Sequence, residues 1–266
     1  MADSDLCGEN EGKDFLNAYK DRERAEAYAA LELPGTYHLA YRDLPNIFRK
    51  HLTGKKALDF GCGAGRSTRF LKDYGFAAAG VDISEEMILQ AKARDPGGRY
   101  DLIQDGNFTR FEENFYDLVL SVFTFDNIPG KEHRTELLRK LARLMGSNGR
   151  MILVDSTPEI YLHEWASFST ERFPENRFAR SGQKVKTIIT DSVDRRPVED
   201  ILWFNEDYLE SFANAGLEPV ELHYPLGKEK DGYEWVNEKE IAPWVIYVLQ
   251  KLRSDPDNGV GIANSP

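Results

Sequence analysis

The stretch Ala57-Leu-Asp-Phe-Gly-Cys-Gly-Ala-Gly-Arg-Ser-Thr68 decides the fold, because a short apolar strand pattern runs into alternating glycines and then a helical pattern. Gly61, Gly63 and Gly65 permit a tight turn and let backbone N–H groups approach a ligand closely. Asp82 ends the next strand, where its carboxylate can accept two hydrogen bonds from a ribose diol. Together these features predict a binding site for an adenosine-containing cofactor.

Strands and helices alternate on both sides of this stretch. Helical patterns cover residues 14–31, 37–52, 66–74, 84–94, 131–145 and 205–215, and strand patterns cover 56–60, 76–82, 99–104, 116–122, 150–155, 217–223 and 245–251. Strands separated by helix-length segments are typical of an α/β fold, with a mostly parallel, Rossmann-like sheet and helices on both faces.

Residues 156–204 interrupt this alternation. Patterns at 184–190 and 198–203 predict a β-hairpin joined by residues 191–197, and we interpret the insert as a cap over the strand ends. Residues 172–196 carry seven bases and three acids, an excess that could form a pocket for an anionic substrate. Because neighbouring acids such as Glu199 and Asp200 can offset these bases, we favour a solvated hairpin. The predicted organisation is a disordered acidic end (1–12), an N-terminal helical lid (13–54), a cofactor-binding core (55–155), a substrate cap (156–204), the end of the core sheet (205–252) and a disordered tail (253–266).

Composition narrows the class of protein. The 266 residues carry a formal net charge of −11, which argues against broad binding to nucleic-acid phosphates or anionic membranes. No apolar run approaches the roughly 18 residues that span a bilayer. The two cysteines, Cys7 and Cys62, form no disulfide framework, and no Cys and His cluster has zinc spacing, so we expect no metal and a cytoplasmic location. The composition specifies no oligomeric state.

Three positions favour one adenosine cofactor. Asp59 precedes the first glycine, where its carboxylate would repel a diphosphate but attract an ammonium or sulfonium cation. Arg66 stands where a dinucleotide fingerprint has its third glycine, and we expect its side chain to be solvated. Asp105 follows the third strand, where it could bind an adenine amino group. S-adenosylmethionine fits these positions, and Asp59 and Asp105 argue against a nicotinamide-dependent oxidoreductase.

The chain resembles the class I S-adenosylmethionine-dependent methyltransferases, particularly the small-molecule branch that includes ubiquinone and menaquinone methyltransferases. The resemblance spans roughly residues 55–155 and rests on Leu58-Asp-Phe-Gly-Cys-Gly-Ala-Gly, Gly80-Val-Asp-Ile-Ser-Glu-Glu-Met, Gln104-Asp-Gly, Phe115-Tyr-Asp-Leu-Val-Leu-Ser and Leu141-Ala-Arg-Leu-Met-Gly-Ser-Asn-Gly-Arg. Two stretches depart from the pattern. Phe125-Asp-Asn127 replaces a frequent His-His, and Gly146-Ser-Asn-Gly149 replaces Lys-Pro-Gly-Gly. Because of the first departure, the resemblance does not carry the substrate of the quinone enzymes over to this chain.

The resemblance implies a seven-stranded sheet with an antiparallel last strand, and S-adenosylmethionine as the cofactor. It implies Asp59, Gly61 and Gly63 around the methionine part, Asp82 on the ribose, and Asp105 and Gly106 at the adenine. Ile83, Met87 and Phe108 would pack the base. The expected cofactor-binding set is completed by Cys62, Asn107, Ser121 and Phe123.

Methyl transfer is an in-line displacement, so the protein must hold the acceptor about 3 Å from the methyl carbon, with a general base as an optional aid. Ligands of open α/β sheets meet the C-terminal strand ends, which makes Asp126 a candidate catalytic residue. His163 in the insert and Tyr28 in the N-terminal segment are the other candidates. Each candidate also has an interpretation without a catalytic role: Asp126 as a loop residue, His163 as a surface histidine and Tyr28 as a packed tyrosine.

The sequence therefore predicts an enzyme that methylates a small molecule, with no nucleic-acid partner and no membrane span. A tRNA or protein methyltransferase, and a non-catalytic protein that binds S-adenosylmethionine and regulates a partner, remain alternatives.

Overall fold

The computed structural model describes residues 21–32, 34–104 and 106–252. The helices are α1 Arg22–Ala29, α2 Thr36–Arg42, α3 Leu44–His51, α4 Arg66–Asp73, α5 Glu85–Arg94, α6 Lys131–Leu144 and α7 Asn205–Asn214. The strands are β1 Lys56–Phe60, β2 Ala77–Asp82, β3 Arg99–Leu102, β4 Tyr116–Val122, β5 Met145–Ser156, β6 Phe168–Ser169, β7 Lys184–Ile189, β8 Val198–Ile201, β9 Leu217–His223 and β10 Trp244–Lys251.

Seven strands form the central sheet in the order β3-β2-β1-β4-β5-β10-β9. The pairs from β3 to β5 are parallel, whereas β10 lies antiparallel between β5 and β9. The expected fold is confirmed, including the antiparallel last strand. Because the chain winds outward in both directions from β1 and β4, a crevice opens at their C-terminal ends, which is where ligands bind in such sheets.

Alternation along the inner strands divides the core between the two faces of the sheet. Leu118 and Leu120 of β4 pack with Leu44 and Phe48 of the N-terminal helices, whereas Val119 packs with α6 and α7. Strands that are buried on both faces need apolar residues at nearly every position, which explains the continuous apolar runs of β4 and β5.

Three boundaries differ from the sequence prediction. The single helix expected at 37–52 is two helices that meet at Asp43. Pro45, in the first turn of α3, has no backbone N–H that could continue the hydrogen bonds of α2. Strand β5 begins at Met145, five residues earlier than expected, through an irregular pairing with β4. Helix α1 begins at Arg22, where the extended Asp21 is its N-cap, and ends at Ala29, so it is shorter than the helix predicted at 14–31. Residues 14–20 and the two predicted disordered ends lie outside the described residues.

The insert contributes a second, small antiparallel sheet. Strands β7 and β8 pair as a hairpin with Lys184 opposite Ile201 and Thr187 opposite Val198, as the sequence predicts, and β6 adds to β7. Strand β8 packs against the short 3₁₀ turn Phe125–Asn127 that follows β4. The hairpin therefore lies over the C-terminal ends of the central strands. None of the helices in the described ranges combines the length and hydropathy that a bilayer crossing requires.

Candidate active site

The glycine turn after β1 has the backbone geometry that its sequence predicts. Gly61, Gly63 and Gly65 have φ values of +72°, +51° and +79°. A Cβ on Gly61 would lie 2.2 Å from Thr124 Oγ1, whereas a Cβ on Gly63 would meet only Met87 Sδ at 4.0 Å. Gly61 is therefore required by close packing, and Gly63 leaves open space beside the turn for a ligand.

Asp82 is held at the end of β2 by backbone donors. Its Oδ2 accepts the Gly63 N–H at 2.9 Å, and its Oδ1 accepts the Ser84 N–H at 2.8 Å. Each carboxylate oxygen has a second lone pair, so Asp82 can still accept hydrogen bonds from two hydroxyls. Burial raises the pKa of Asp82, and the backbone donors oppose that shift.

Asp59 lies beneath the turn and is fully buried. Its Oδ2 accepts hydrogen bonds from Ser67 Oγ at 2.7 Å and Thr68 Oγ1 at 2.5 Å, both in the first turn of α4. Its Oδ1 is buried without a hydrogen-bond partner in the described chain. Burial raises the pKa of Asp59 to about 6. Asp59 therefore anchors α4 behind the turn, and Ser67 is the member of this group that reaches the cavity wall.

A cavity of about 640 Å³ opens at the C-terminal ends of β1, β2 and β4. This volume is in the usual range for small-molecule sites. The predicted site residues that line it are Tyr28, Gly61, Cys62, Gly63, Asp82, Ile83, Met87, Phe123 and Asp126. Ile83 keeps 44% of its surface exposed at this wall, which suits a residue that packs against a planar base.

Other predicted residues lie away from the wall. Asn107 Oδ1 accepts from Thr109, Phe108 packs in the core with Phe60, and Ser121 is buried. Asp59, Gly106 and His163 are also absent from the lining, and Asp105 falls outside the described residues. His163 instead pairs with Glu159 at 2.9 Å. Beyond Ile83, the wall is completed by Ile103 and Leu137, which the sequence pattern marked only as strand and helix residues.

The prediction that Arg66 is solvated was wrong. Its guanidinium carbon lies 5.2 Å from the Tyr28 ring centre and 5.5 Å from the Tyr37 ring centre, and it lines the cavity. Nη2 donates to the Tyr28 carbonyl at 3.4 Å, while Nε is buried without a partner in the described ranges. The N-terminal helices bring both tyrosines onto α4, which is a tertiary contact that local patterning does not reveal.

Two carboxylates face the cavity at the end covered by the insert. Asp126 is buried; its Oδ2 accepts from Ser156 Oγ at 2.9 Å and its Oδ1 from Asn127 Nδ2 at 2.8 Å. Asp200 on β8 accepts from Tyr161 Oη at 3.3 Å. Burial raises the pKa of both groups, and the charge of Asp126 raises that of Asp200 further.

Four aromatic rings line the same cavity as these carboxylates, and we call Tyr37, Phe123, Phe168 and Trp244 the aromatic wall. Ring centres lie 4.9 Å apart for Tyr37 and Phe168 and 4.6 Å apart for Phe123 and Trp244. Phe123 has a φ of +56°, a conformation that a bulky residue rarely adopts and that directs it out of β4. All four line the cavity.

The bases of the hairpin that line the cavity are paired with acids. Lys184 and Lys186 both contact Glu199, and Arg196 contacts Asp194 and Asp21. Arg24 of α1 also pairs with Asp194, at 3.2 Å. The three of these seven bases that line the cavity therefore have acidic partners, which favours a solvated hairpin over an anion pocket.

Comparison with known proteins identifies the core. Residues 58–153 match the family described as a methyltransferase domain. An uncharacterized methyltransferase of Bacillus licheniformis is 24% identical over 180 residues, covering 66% of this chain and 82% of that protein. A ubiquinone biosynthesis O-methyltransferase of Pseudomonas aeruginosa is 26% identical over 204 residues, covering 73% and 82%.

The fold is shared with solved methyltransferase structures. A Methanosarcina mazei protein described as a SAM-dependent methyltransferase has a TM-score of 0.57 at 15% identity, covering 78% of this chain and 98% of that one. At that identity the likeness supports the fold alone, and the matched domain supports the activity.

Proposed function

This chain belongs to the class I S-adenosylmethionine-dependent methyltransferases, and on that premise we propose that it methylates a small molecule bound beneath the insert of residues 156–204. One observation carries the proposal: a single cavity extends from Gly63 and Asp82 at the glycine turn to Asp200 on the hairpin. A cofactor and an acceptor can therefore meet in one cavity. Relatives named for methylation of quinones and their precursors support a small-molecule acceptor.

The cofactor end fits S-adenosylmethionine in the chemistry of its donors. Asp82 has free lone pairs for the ribose diol, Ile83 and Met87 offer apolar contact to the base, and the open side of Gly63 leaves room for the ligand. The buried Nε of Arg66 is a donor suited to the methionine carboxylate. When bound, S-adenosylmethionine supplies a methyl group on a cationic sulfur, which a nucleophile displaces in line.

The chain itself orients the acceptor and manages its proton. Asp126 is placed at the cavity end of β4, and its raised pKa makes it a better proton acceptor near neutral pH than an exposed carboxylate. Tyr28 lies between the two ends of the cavity, where the charges of Asp82, Asp126 and Arg66 act on it electrostatically. Burial raises the pKa of Tyr28, so its hydroxyl stays neutral and positions ligands by hydrogen bonding. His163 lies off the wall and has no role in the proposal.

Calorimetric titration with S-adenosylhomocysteine, with NAD in parallel, tests the cofactor end. We expect the wild-type protein to bind the nucleoside and not NAD. Asp82→Ala should weaken binding by about 1–3 kcal/mol, roughly 5- to 150-fold in Kd, because a charged hydrogen-bond acceptor is lost. Asp73→Ala, which removes an exposed carboxylate at the end of α4, is the matched control. Unchanged affinity in folded Asp82→Ala would refute the ribose assignment.

Transfer of labelled methyl from S-adenosylmethionine then tests the acceptor end. We expect incorporation into members of a small-molecule panel and none into bulk tRNA or protein. Labelling of tRNA or protein alone would replace the proposal with the macromolecular alternative. Binding of S-adenosylhomocysteine with no transfer to any class would favour a regulatory protein.

A further inference from the structure

We propose that the acceptor atom is an amine nitrogen, held as its ammonium by Asp126 and Asp200 against the aromatic wall. This inference rests on the proposed function and specifies its substrate class. It is carried by the arrangement of charge, rings and hydrogen-bonding capacity around the insert-covered end of the cavity.

The two carboxylates approach the cavity from different elements. Asp126 lies in the 3₁₀ turn after β4, and Asp200 lies on β8, which packs against that turn. Both line the cavity. An acceptor under the hairpin therefore lies between a group on the core sheet and a group on the cap.

Both carboxylates have unused capacity to accept hydrogen bonds. A carboxylate offers about four lone-pair sites. The side-chain donors found here are Ser156 and Asn127 on Asp126, and Tyr161 on Asp200. The remaining sites match the several N–H donors of an ammonium group.

Four of the six cations that line the cavity within the described residues are paired with acids of the chain. Lys184, Lys186, Arg24 and Arg196 are paired with Glu199, Asp194 or Asp21, as described above. The other two, Arg66 and Arg69, lie on α4 after the glycine turn, and the guanidinium of Arg66 also lies 5.5 Å from the ring centre of Tyr37 in the aromatic wall. Asp126 and Asp200 form no ion pair with any described residue of the wall, so a cationic ligand is the natural partner for them.

One further cation lies near these acids but outside the cavity lining. Arg134 of α6 is fully buried and stacks 4.1 Å from the Trp203 ring centre and 4.3 Å from that of Tyr208. Burial raises the pKa of Asp126 and Asp155, and the charge of Arg134 opposes that rise. Asp155 is also buried, and Arg134 acts on Asp126 and Asp155, whereas Asp200 is affected by the charges of those two acids and not by the guanidinium. The excess of acidic groups persists after Arg134 is counted.

The aromatic wall favours an ammonium and the acids disfavour a phenolate. Ring faces attract cations, with a stronger effect when the cation is desolvated. A phenol would have to ionise beside two carboxylates, which repel the developing anion. All five histidines of the chain lie within the described residues, and none lines the cavity, so no imidazole is available as a base for a phenol.

The transfer needs no group other than the amine, the cofactor and the Asp126 carboxylate. The ammonium loses a proton to the Asp126 carboxylate, which exposes the nitrogen lone pair. The nitrogen then forms a bond to the methyl carbon while the carbon–sulfur bond breaks and its electron pair stays on sulfur. The products are a methylated ammonium and neutral S-adenosylhomocysteine, and the Asp126 proton returns to solvent when the products leave.

Calorimetry on protein saturated with S-adenosylhomocysteine separates the ligand classes through three matched probes: benzylamine, benzyl alcohol and benzoate. We expect benzylamine to bind about 10- to 100-fold more tightly than benzyl alcohol, because it adds charged hydrogen bonds, and benzoate to bind most weakly. Equal binding of amine and alcohol, preference for benzoate, or no binding of benzylamine would each overturn the inference.

A pair of variants assigns the effect to the cap. Asp200→Asn should reduce the preference for amine over alcohol by about tenfold while the affinity for S-adenosylhomocysteine is unchanged. Asp191→Asn makes the same charge change at an exposed position of the hairpin loop and should keep the preference. Equal preferences in the two variants would contradict the role of Asp200.

The failure of this inference is distinguishable from the failure of the proposed function. Methyl transfer to phenols or carboxylates, but not to amines, would overturn the amine assignment and leave a small-molecule methyltransferase. If the wild-type protein does not bind S-adenosylhomocysteine at all, both the amine assignment and the proposed function are overturned.

Discussion

The two ends of the cavity are built in different ways. At the cofactor end, one local segment, β1 with its glycine turn and α4, supplies backbone geometry, and Asp82 follows on the next strand. At the acceptor end, Asp126, Asp200 and Trp244 come from a turn, an inserted hairpin and the last strand. The first end depends on backbone conformation encoded nearby, whereas the second depends on side chains that meet only after the whole chain has folded.

The largest expected effect separates two glycines of the cofactor end. Gly61→Ala should lower the free energy of unfolding by about 2–5 kcal/mol, because it combines left-handed backbone strain with a clash against Thr124. Gly63→Ala should lower it by only about 1–2 kcal/mol, from backbone strain alone, but should weaken nucleoside binding. Urea unfolding and calorimetry measure the two quantities.

Equal destabilisation in the two variants would show that the turn is not divided between packing and ligand binding. Nucleoside affinity that is unchanged in folded Gly63→Ala would move the ligand away from this turn.

This comparison also explains what the sequence could predict. Gly61, Gly63 and Asp82 were found because turn geometry and a strand-end carboxylate leave local signatures. Leu137 and Ile103 were missed as wall residues because an apolar side chain looks the same whether it faces a core or a ligand. Arg66 was expected in solvent because its cover, Tyr28 and Tyr37, comes from separate N-terminal helices.

The hairpin shows the same limit at the acceptor end. Its strands follow from the alternation at residues 184–190 and 198–203, and the structure contains them as β7 and β8. Which of its charges would be available to a ligand does not follow, because Lys184, Lys186, Glu199 and Asp200 all line the cavity. Both lysines pair with Glu199 across the hairpin, whereas Asp200 forms no ion pair within the described residues. His163 was a candidate base by residue type alone, and its pairing with Glu159 depends on a short 3₁₀ turn.

The second prediction concerns the pH dependence of the cofactor end. Because burial raises the pKa of Asp59 to about 6, the folded protein binds this proton more tightly than the unfolded chain does. The contribution of Asp59 to stability is therefore present at low pH and lost as the pH rises from about 4 through about 6, by up to about 3 kcal/mol. Asp59→Asn removes this loss.

Urea unfolding of the ligand-free protein from pH 4 to pH 8 tests it. The stability of Asp59→Asn relative to wild type should increase with pH across that window. A relative stability that is constant with pH would mean that Asp59 titrates alike in the folded and unfolded states, and that Ser67 and Thr68 fully compensate its burial.

The smallest expected effect tests whether Arg66 acts at the cofactor end or at the acceptor end of the cavity. Arg66 begins α4 directly after the glycine turn and contacts Tyr28 and Tyr37 of the N-terminal helices, and we assign it to the carboxylate of the cofactor. Arg66→Met should therefore weaken S-adenosylhomocysteine by about tenfold and leave 5′-methylthioadenosine, which lacks the amino-acid group, unchanged. Calorimetry with both nucleosides measures the two affinities.

An equal loss for both nucleosides would mean that Arg66 acts through Tyr28 and Tyr37 on the shape of the site rather than through charge. A loss of amine binding with intact nucleoside binding would move Arg66 to the acceptor end. That outcome would also weaken the amine inference, because an unpaired guanidinium among the acceptor contacts would offset the carboxylates that define the ligand there.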